Sequence, residues 1–358
     1  MRVLALTKYG AEAASTRQRL LQFAPFLHRR GIEIVARPLL DDEYVRALAQ
    51  GRRSSRIAIF ASYMKRLGTV ATAQRYDVIW VHFEAFPYAP AALERLLSIT
   101  GRPVIVDFDD AIFHMYDRHH SQLVRRLLSN KLRPLLHLAS GVTVGNDYLR
   151  HYAERFNPAV TVIPTVVDTD RYVPEERTDT RPPVVGWIGS PSTWRYMEEV
   201  LPDILPTIRQ AGASFRAVGA GPQAQRWAEI ESIPWTESTE IAEVQRMNIG
   251  VMPLPEEDWA RGKCGYKLIQ YMACGLPTIA SPVGVNSTIV QQGETGYLAS
   301  TPEQWKTALQ RLLGDDNLRR RLGRAGRDRV VEHYSLASQE PRLLQAFEAA
   351  SARNGKRG

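Results

Sequence analysis

The chain has 358 residues, 44% of them hydrophobic and 23% charged, the profile of an ordinary soluble globular protein with room for two domains. Two cysteines, Cys264 and Cys274, exclude a disulfide framework and lack metal-ligand spacing, and no stretch reaches the roughly 18 apolar residues that span a bilayer. The formal net charge of +8 is concentrated early: residues 1–100 hold 15 Lys/Arg against 8 Asp/Glu, with Arg52, Arg53, Arg56, Lys65 and Arg66 close together, which points to anionic partners.

In chain order, VLALT (3–7) reads as a buried strand, and the helical spacing of Leu20, Phe23, Ala24 and Leu27 predicts a helix over 15–30 that ends at Gly31. Ser15 or Thr16 is the expected N-cap, and Arg17 beside it is a candidate for holding an anionic group. IEIVARP (32–38) is the next strand, a helix covers about 54–74, and YDVIWVHF (76–83) and PVIVDFDD (103–110) are strands. A helix over 121–138, GVTVGN (141–146), a helix near 147–155 and VTVIPTV (160–166) complete the first half. A charged, proline-rich linker follows within 173–183, and the alternation restarts. PVVGWIGS (183–190), SFRAVGAG (214–221), IGVMPL (249–254) and LPTIAS (276–281) read as strands. Helices are expected at 193–210, 264–274, 303–313, 316–333 and about 337–352, with the tail SARNGKRG disordered. Strands alternating with helices imply parallel βαβ units and two doubly wound sheets.

The block YKLIQYMACGLPTIASPVGVN (266–286) carries the most chemistry. A helix ends at a small-residue corner and a strand follows. The first turn of that helix offers amide N–H groups to a pyrophosphate, with Lys263 and Lys267 adding charge. DFDD contains D-x-D, in which Asp109 or Asp110 can accept a hydrogen bond from an attacking hydroxyl or stabilise oxocarbenium-like charge as a leaving group departs. His114, His119 and His120 follow closely, and His82 and Glu84 end another strand, facing the expected crevice. The loop after the first strand has only Gly10 and lacks G-x-G-x-x-G, which disfavours a dinucleotide dehydrogenase.

The 266–286 block resembles the nucleotide-sugar signature of retaining glycosyltransferase family 4, the glycosyl transferases group 1. VIPTVVDTDRYVP (162–174), VVGWIGSPST (184–193) and VGVNSTIVQQGETGYLA (283–299) resemble further family segments in the expected order. More weakly, so do ASTRQR (14–19) and VDFDDAIF (106–113). The resemblance implies a GT-B fold: α/β, two Rossmann-like domains facing a cleft, an acceptor domain at 1–174 and a donor domain at 183–335, with the last helix crossing back. It implies metal-independent, retaining, hexosyl-type transfer from a nucleotide diphosphate sugar, with no cofactor besides that donor. Gly189, Ser190, Arg195, Lys263, Lys267 and Gln270 would bind the donor, and Asp109, Asp110 and His119 would serve catalysis. Gly262 and Gln270 stand where the family carries two glutamates, so a catalytically degenerate nucleotide-sugar-binding protein is the alternative reading. The partners expected are the donor and a glycan, lipid-linked or small-molecule acceptor, not nucleic acid. The role expected is glycan or glycoconjugate biosynthesis in the cytoplasm, with peripheral contact to an anionic inner membrane face.

Overall fold

A computed structural model describes residues 1–49, 52, 54–175 and 182–354. Arg53, residues 176–181 of the expected linker and residues 355–358 of the expected disordered tail lie outside the described residues. The chain divides into two units, Met1–Thr165 with Gln339–Gly358 and Val166–Ser338.

The first unit is built on a six-stranded parallel sheet: β1 (Arg2–Tyr9), β2 (Glu33–Leu40), β3 (Val78–His82), β4 (Val104–Phe108), β5 (Gly141–Val144) and β6 (Val160–Val162). Their order is β2-β1-β3-β4-β5-β6. β3 and β4 are buried along their whole length, as strands covered by helices on both faces must be. The chain first steps from β1 to β2 and then returns to β1's other side with β3. The carboxyl ends of β1 and β3 therefore flank the point where strand order reverses, the usual place for a ligand in such sheets. The register pairs His82 with Asp107 across β3 and β4. The helix expected over 15–30 is interrupted: Ala14–Arg19 and Ala24–Arg29 are separated by a short tighter turn, the second helix carrying Pro25 in its first turn. The helix expected over 121–138 is likewise two, Gln122–Leu128 and Leu132–Leu138, with Lys131 buried at the junction.

The second unit repeats the plan with β7 (Val184–Ile188), β8 (Ser214–Val218), β9 (Ile230–Ile233), β10 (Ile249–Met252), β11 (Thr278–Ala280) and β12 (Gly296–Leu298), in the order β12-β11-β10-β7-β8-β9. Here the order reverses between β7 and β10. Alternate strand residues feed two cores, one on each face of the sheet. Trp187, Ala217, Val251 and Ile279 enter one, and Ile188, Val218, Met252 and Ala280 the other. Residues 166–174, placed by the sequence at the end of the first domain, group with this unit. Val167 bridges to Ser335, and the Arg327 guanidinium donates to the carbonyls of Thr169 (2.7 Å), Ala273 (2.8 Å) and Tyr172.

The last helix, Leu336–Asn354, takes in residues 351–354 of the tail that the sequence left disordered. Phe347 is fully buried and meets the Trp80 ring edge-on at 5.1 Å, which draws the end of the chain into the first unit. No described helix is long and apolar enough to cross a membrane.

Candidate functional site

In the second unit, Gly189 directly follows β7 and Gly219 directly follows β8, and the two turns touch. A Cβ on Gly219 (φ +76°) would lie 2.3 Å from the Gly189 carbonyl and 2.9 Å from the Trp235 side chain. A Cβ on Gly189 would lie 2.7 Å from Cε of Lys267 and 2.5 Å from the Trp187 ring. Only glycine permits this approach. The corner therefore brings together Gly189, its neighbour Ser190 and Lys267, whose ammonium lies 5.5 Å from the centre of the Trp187 ring. Ser190 caps the helix Pro191–Gln210 in a reciprocal box with Thr193.

Lys267 stands in the first turn of the helix Tyr266–Ala273, which starts from Gly265 in the left-handed conformation (φ +66°) without a side-chain cap. A helix start of this kind presents partial positive charge. Lys263 lies 5.2 Å over the Trp259 ring, and Arg195 is folded onto Tyr196, donating to its hydroxyl at 2.9 Å.

Gln270 is buried, and its amide nitrogen donates to the Tyr172 hydroxyl at 3.0 Å. That hydroxyl donates to one oxygen of Glu240, whose other oxygen accepts from the Trp235 indole N–H at 2.7 Å. Burial, with Tyr266 and Glu240 adding to it, holds the Tyr172 phenol far above its ordinary pKa. Sequence reasoning missed Tyr172, Trp235 and Glu240. They come from three separated segments, and only the fold joins them to Gln270.

In the first unit the three aspartates of DFDD part company. Asp107 is buried in a two-pronged pair with Arg19 (Nε–Oδ2 3.0 Å, Nη2–Oδ1 2.6 Å) and also accepts from the Thr143 hydroxyl at 2.6 Å. Arg19 completes the network on the carbonyl of Ile163 at 2.7 Å. Asp109 and Asp110 lie half-buried just beyond β4. Asp109 Oδ1 is 3.8 Å from Nε2 of His82, a fully buried imidazole packed on the Phe83 ring with no hydrogen-bond partner at either nitrogen. Phe83 has φ +69° and Tyr88 φ +56°, conformations uncommon for non-glycine residues and often found at functional sites. His119 accepts the Ser121 amide at 3.0 Å and sits edge-on to Tyr88, and His114 bridges Asp117 and the Tyr148 hydroxyl, each at 2.8 Å.

Beneath this loop, Lys131 pairs with Glu94 (2.9 Å) and Glu84 (3.4 Å), and Tyr116 donates to Glu84 at 2.6 Å. Desolvation raises the Glu84 carboxyl above its ordinary pKa despite Lys131. Glu84 is therefore part of the loop's foundation, where the sequence placed it on a crevice.

Two expectations near the first strand change. The helix Ala14–Arg19 is entered from Ala13 with no side-chain cap, because Thr16 instead donates to the Tyr9 carbonyl at 3.1 Å. Arg17 donates to the carbonyls of Ala11 (3.2 Å) and Glu12 (2.7 Å), closing the loop it stands beside. Among the described residues, no three His, Cys, Asp or Glu side chains are grouped to hold a metal ion.

The family model described as Glycosyl transferases group 1 matches residues 182–315, the stretch that carries β7 to β12 and the glycine corner. Over those residues the chain is similar to the glycosyl transferases group 1. Among curated proteins, the N-acetyl-alpha-D-glucosaminyl L-malate synthase of Bacillus anthracis is 33% identical over 96 residues, 26% of this chain and 24% of that protein. The D-inositol 3-phosphate glycosyltransferase of Rhodococcus opacus (strain B4) is 27% identical over 244 residues, 60% of this chain and 53% of that protein. The chain thus spans about a quarter of the length of the first of these relatives and about half of the second.

Solved structures extend the likeness in fold over the group 1 match and the first unit alike. Sucrose-phosphate synthase (tll1590) from Thermosynechococcus elongatus superposes with a TM-score of 0.71 at 17% identity, covering 99% of this chain and all of that one. Anabaena Alr3699/HepE, solved in complex with UDP-glucose, gives 0.70 at 16% identity, covering 98% of this chain and 100% of that one. The architecture is GT-B.

Proposed function

We propose that the protein is a glycosyltransferase that moves a hexosyl unit from a nucleoside diphosphate sugar to an acceptor hydroxyl with retention of anomeric configuration and without a metal ion. The observation that carries the reading is the approach of Lys267 to the Gly189 corner at the start of the helix Tyr266–Ala273, inside the residues that match group 1. A cation, a helix N-terminus and a side-chain-free turn suit the diphosphate of a donor. The C1–O bond of the donor breaks, its electron pair passes to the diphosphate, and Lys267 stabilises the charge that grows there. Ser190 lies at the same corner, and Arg195 and Lys263 are further cations for the diphosphate.

We assign Trp235, beside Gly219, to the nucleobase and the Gln270–Tyr172–Glu240 chain to the ribose. On the first unit, Asp109 is the leading candidate for stabilising positive charge at the anomeric carbon, because His82 is beside it. Asp110, next to Asp109 in the chain, and His119, edge-on to Tyr88, are assigned to the acceptor hydroxyl. The UDP-glucose held by the Anabaena protein makes uridine donors the first to test.

Incubating the protein with a panel of nucleoside diphosphate sugars, without acceptor and in excess EDTA, should release free sugar from one of them. Lys267→Ala should weaken calorimetric binding of the matching nucleoside diphosphate by about 1.5–3 kcal/mol, roughly 10- to 150-fold. Tight binding of a nucleotide sugar with no hydrolysis and no transfer to any glycan, lipid or small glycoside would favour a binding protein that has lost the chemistry. Hydrolysis that EDTA abolishes and manganese restores would overturn metal independence.

A further inference from the structure

The helix Arg56–Ala71 turns an apolar stripe outward. Ile57, Phe60 and Met64 are 80%, 66% and 50% exposed. Their spacing of three and four places them along one face. The opposite face is anchored: Ser55 caps the helix start, Val70 is buried, and Tyr63 donates to the Pro87 carbonyl.

Arg66 belongs to the anchor as well. It is 2% exposed and donates to the carbonyls of Thr7 (2.7 Å) and Arg37 (2.9 Å). The basic cluster read from the sequence therefore loses one member from the surface, while Arg56 and Lys65 stay on the helix beside the stripe. Arg56 and Lys65, both exposed, flank Ile57, Phe60 and Met64. No Asp or Glu occurs anywhere between Glu43 and Asp77, a stretch with seven Lys/Arg.

A second element repeats the pattern. Leu123 and Leu127, four apart on the helix Gln122–Leu128, are exposed beside Arg125 and Arg126, and no acidic residue lies between Asp117 and Asp147. The two helices are joined through the loop after β3. Tyr63 holds Pro87, the neighbouring Tyr88 packs edge-on to His119, and Arg125 donates to the carbonyls of His119 and His120.

We propose that this face docks on an anionic lipid surface, with the helix Arg56–Ala71 lying in the plane of the headgroups. Apolar side chains at helical spacing enter the acyl boundary, and the exposed cations Arg56 and Lys65 beside them meet the lipid phosphates. A nucleic acid would use the cations and leave the Ile-Phe-Met stripe in water, and an acidic protein is matched less well by a stripe with no polar side chain between its apolar members. This docking depends on no property of the donor corner, so it stands or falls apart from the enzymatic reading.

Co-sedimentation of the whole chain with vesicles of phosphatidylcholine, with and without phosphatidylglycerol, tests it. The wild type should pellet only with the anionic vesicles and be released by high salt. A variant with Ile57→Ser, Phe60→Ser and Met64→Ser should lose at least tenfold in vesicle affinity while keeping its circular dichroism and thermal midpoint, and Arg56→Ser with Lys65→Ser should lose a similar factor. Ile99→Ser, an exposed residue on a different helix, serves as a control and should change nothing. The proposal is overturned if the wild type ignores anionic vesicles, or if the triple variant pellets as well as the wild type. It is equally overturned if Ile99→Ser weakens binding as much, or if the stripe proves to hold two copies together in solution, seen as a dimer that Phe60→Ser dissociates without any vesicle binding.

Discussion

Asp107 and Asp109 are two residues apart at the end of one strand, yet physical chemistry gives them opposite tasks. Asp107 neutralises a guanidinium that has no water to fall back on, since both side chains are almost wholly buried. Replacing it with asparagine keeps the shape and removes the charge, leaving Arg19 uncompensated in the core. Asp107→Asn should lower unfolding free energy by about 3–5 kcal/mol, read from urea titration. Asp109 is half-buried, and its Oδ1 lies 3.8 Å from the His82 imidazole. Asp109→Asn should shift stability by no more than about 1 kcal/mol while cutting turnover roughly 10²- to 10⁴-fold. Equal stability losses in the two variants would show that the division of labour along DFDD is wrong.

At the level of elements, the helix Asp316–His333 packs on the corner that follows Tyr266–Ala273, and glycines make the packing close. A Cβ on Gly323 would sit 1.9 Å from the Gly275 carbonyl, and one on Gly326 would sit 3.2 Å from Met272. Gly323→Ala must push the two apart and should destabilise the second unit by about 1–3 kcal/mol, with nucleotide affinity falling as the corner shifts. A variant with unchanged thermal midpoint and affinity would mean that the helix slides without consequence.

The same elements explain what the sequence made legible. Strands buried on both faces are continuous apolar runs, so β1, β3, β4, β7, β10 and β11 were readable from composition. The edge strands β9 and β12, three or four residues long with Glu231, Ser232 and Gly296 among them, carry no such run and were not called as strands. Gly189 and Lys267 stood out because each belongs to a local motif. His82 beside Asp109, and Trp235 and Tyr172 around Glu240, were invisible as pairs. Their neighbourhood is created by strand order and register, which no local window contains.

Across the whole molecule, buried phenols set a common limit. Burial raises Tyr63 to about 12 and pushes Tyr116, Tyr152, Tyr172 and Tyr271 higher still, so both units contain hydroxyls that resist ionisation. An unfolded tyrosine ionises near pH 10. Because the folded values are raised, this contribution to stability is complete below about pH 10 and is lost as pH climbs toward the raised values. The thermal midpoint should therefore stay level through neutral pH and fall steeply above about pH 10. The phenolate absorbance of these five buried side chains should appear together with loss of ellipticity rather than before it. Ionisation of all 14 tyrosines near pH 10 in a chain that stays folded would contradict the burial of these side chains.

The return of the chain to the first unit at Gln339 has a consequence for its birth on the ribosome. The second unit is one uninterrupted stretch and can close as soon as Ser338 is out of the exit tunnel. The first unit is synthesised earlier and finished later, because Trp80, laid down early, waits for Phe347 to cover its edge. For most of translation the nascent protein therefore carries a sheet with an apolar seam open to its surroundings. The part begun first is the last to be sealed, and the interval between is when a chaperone has most to shield.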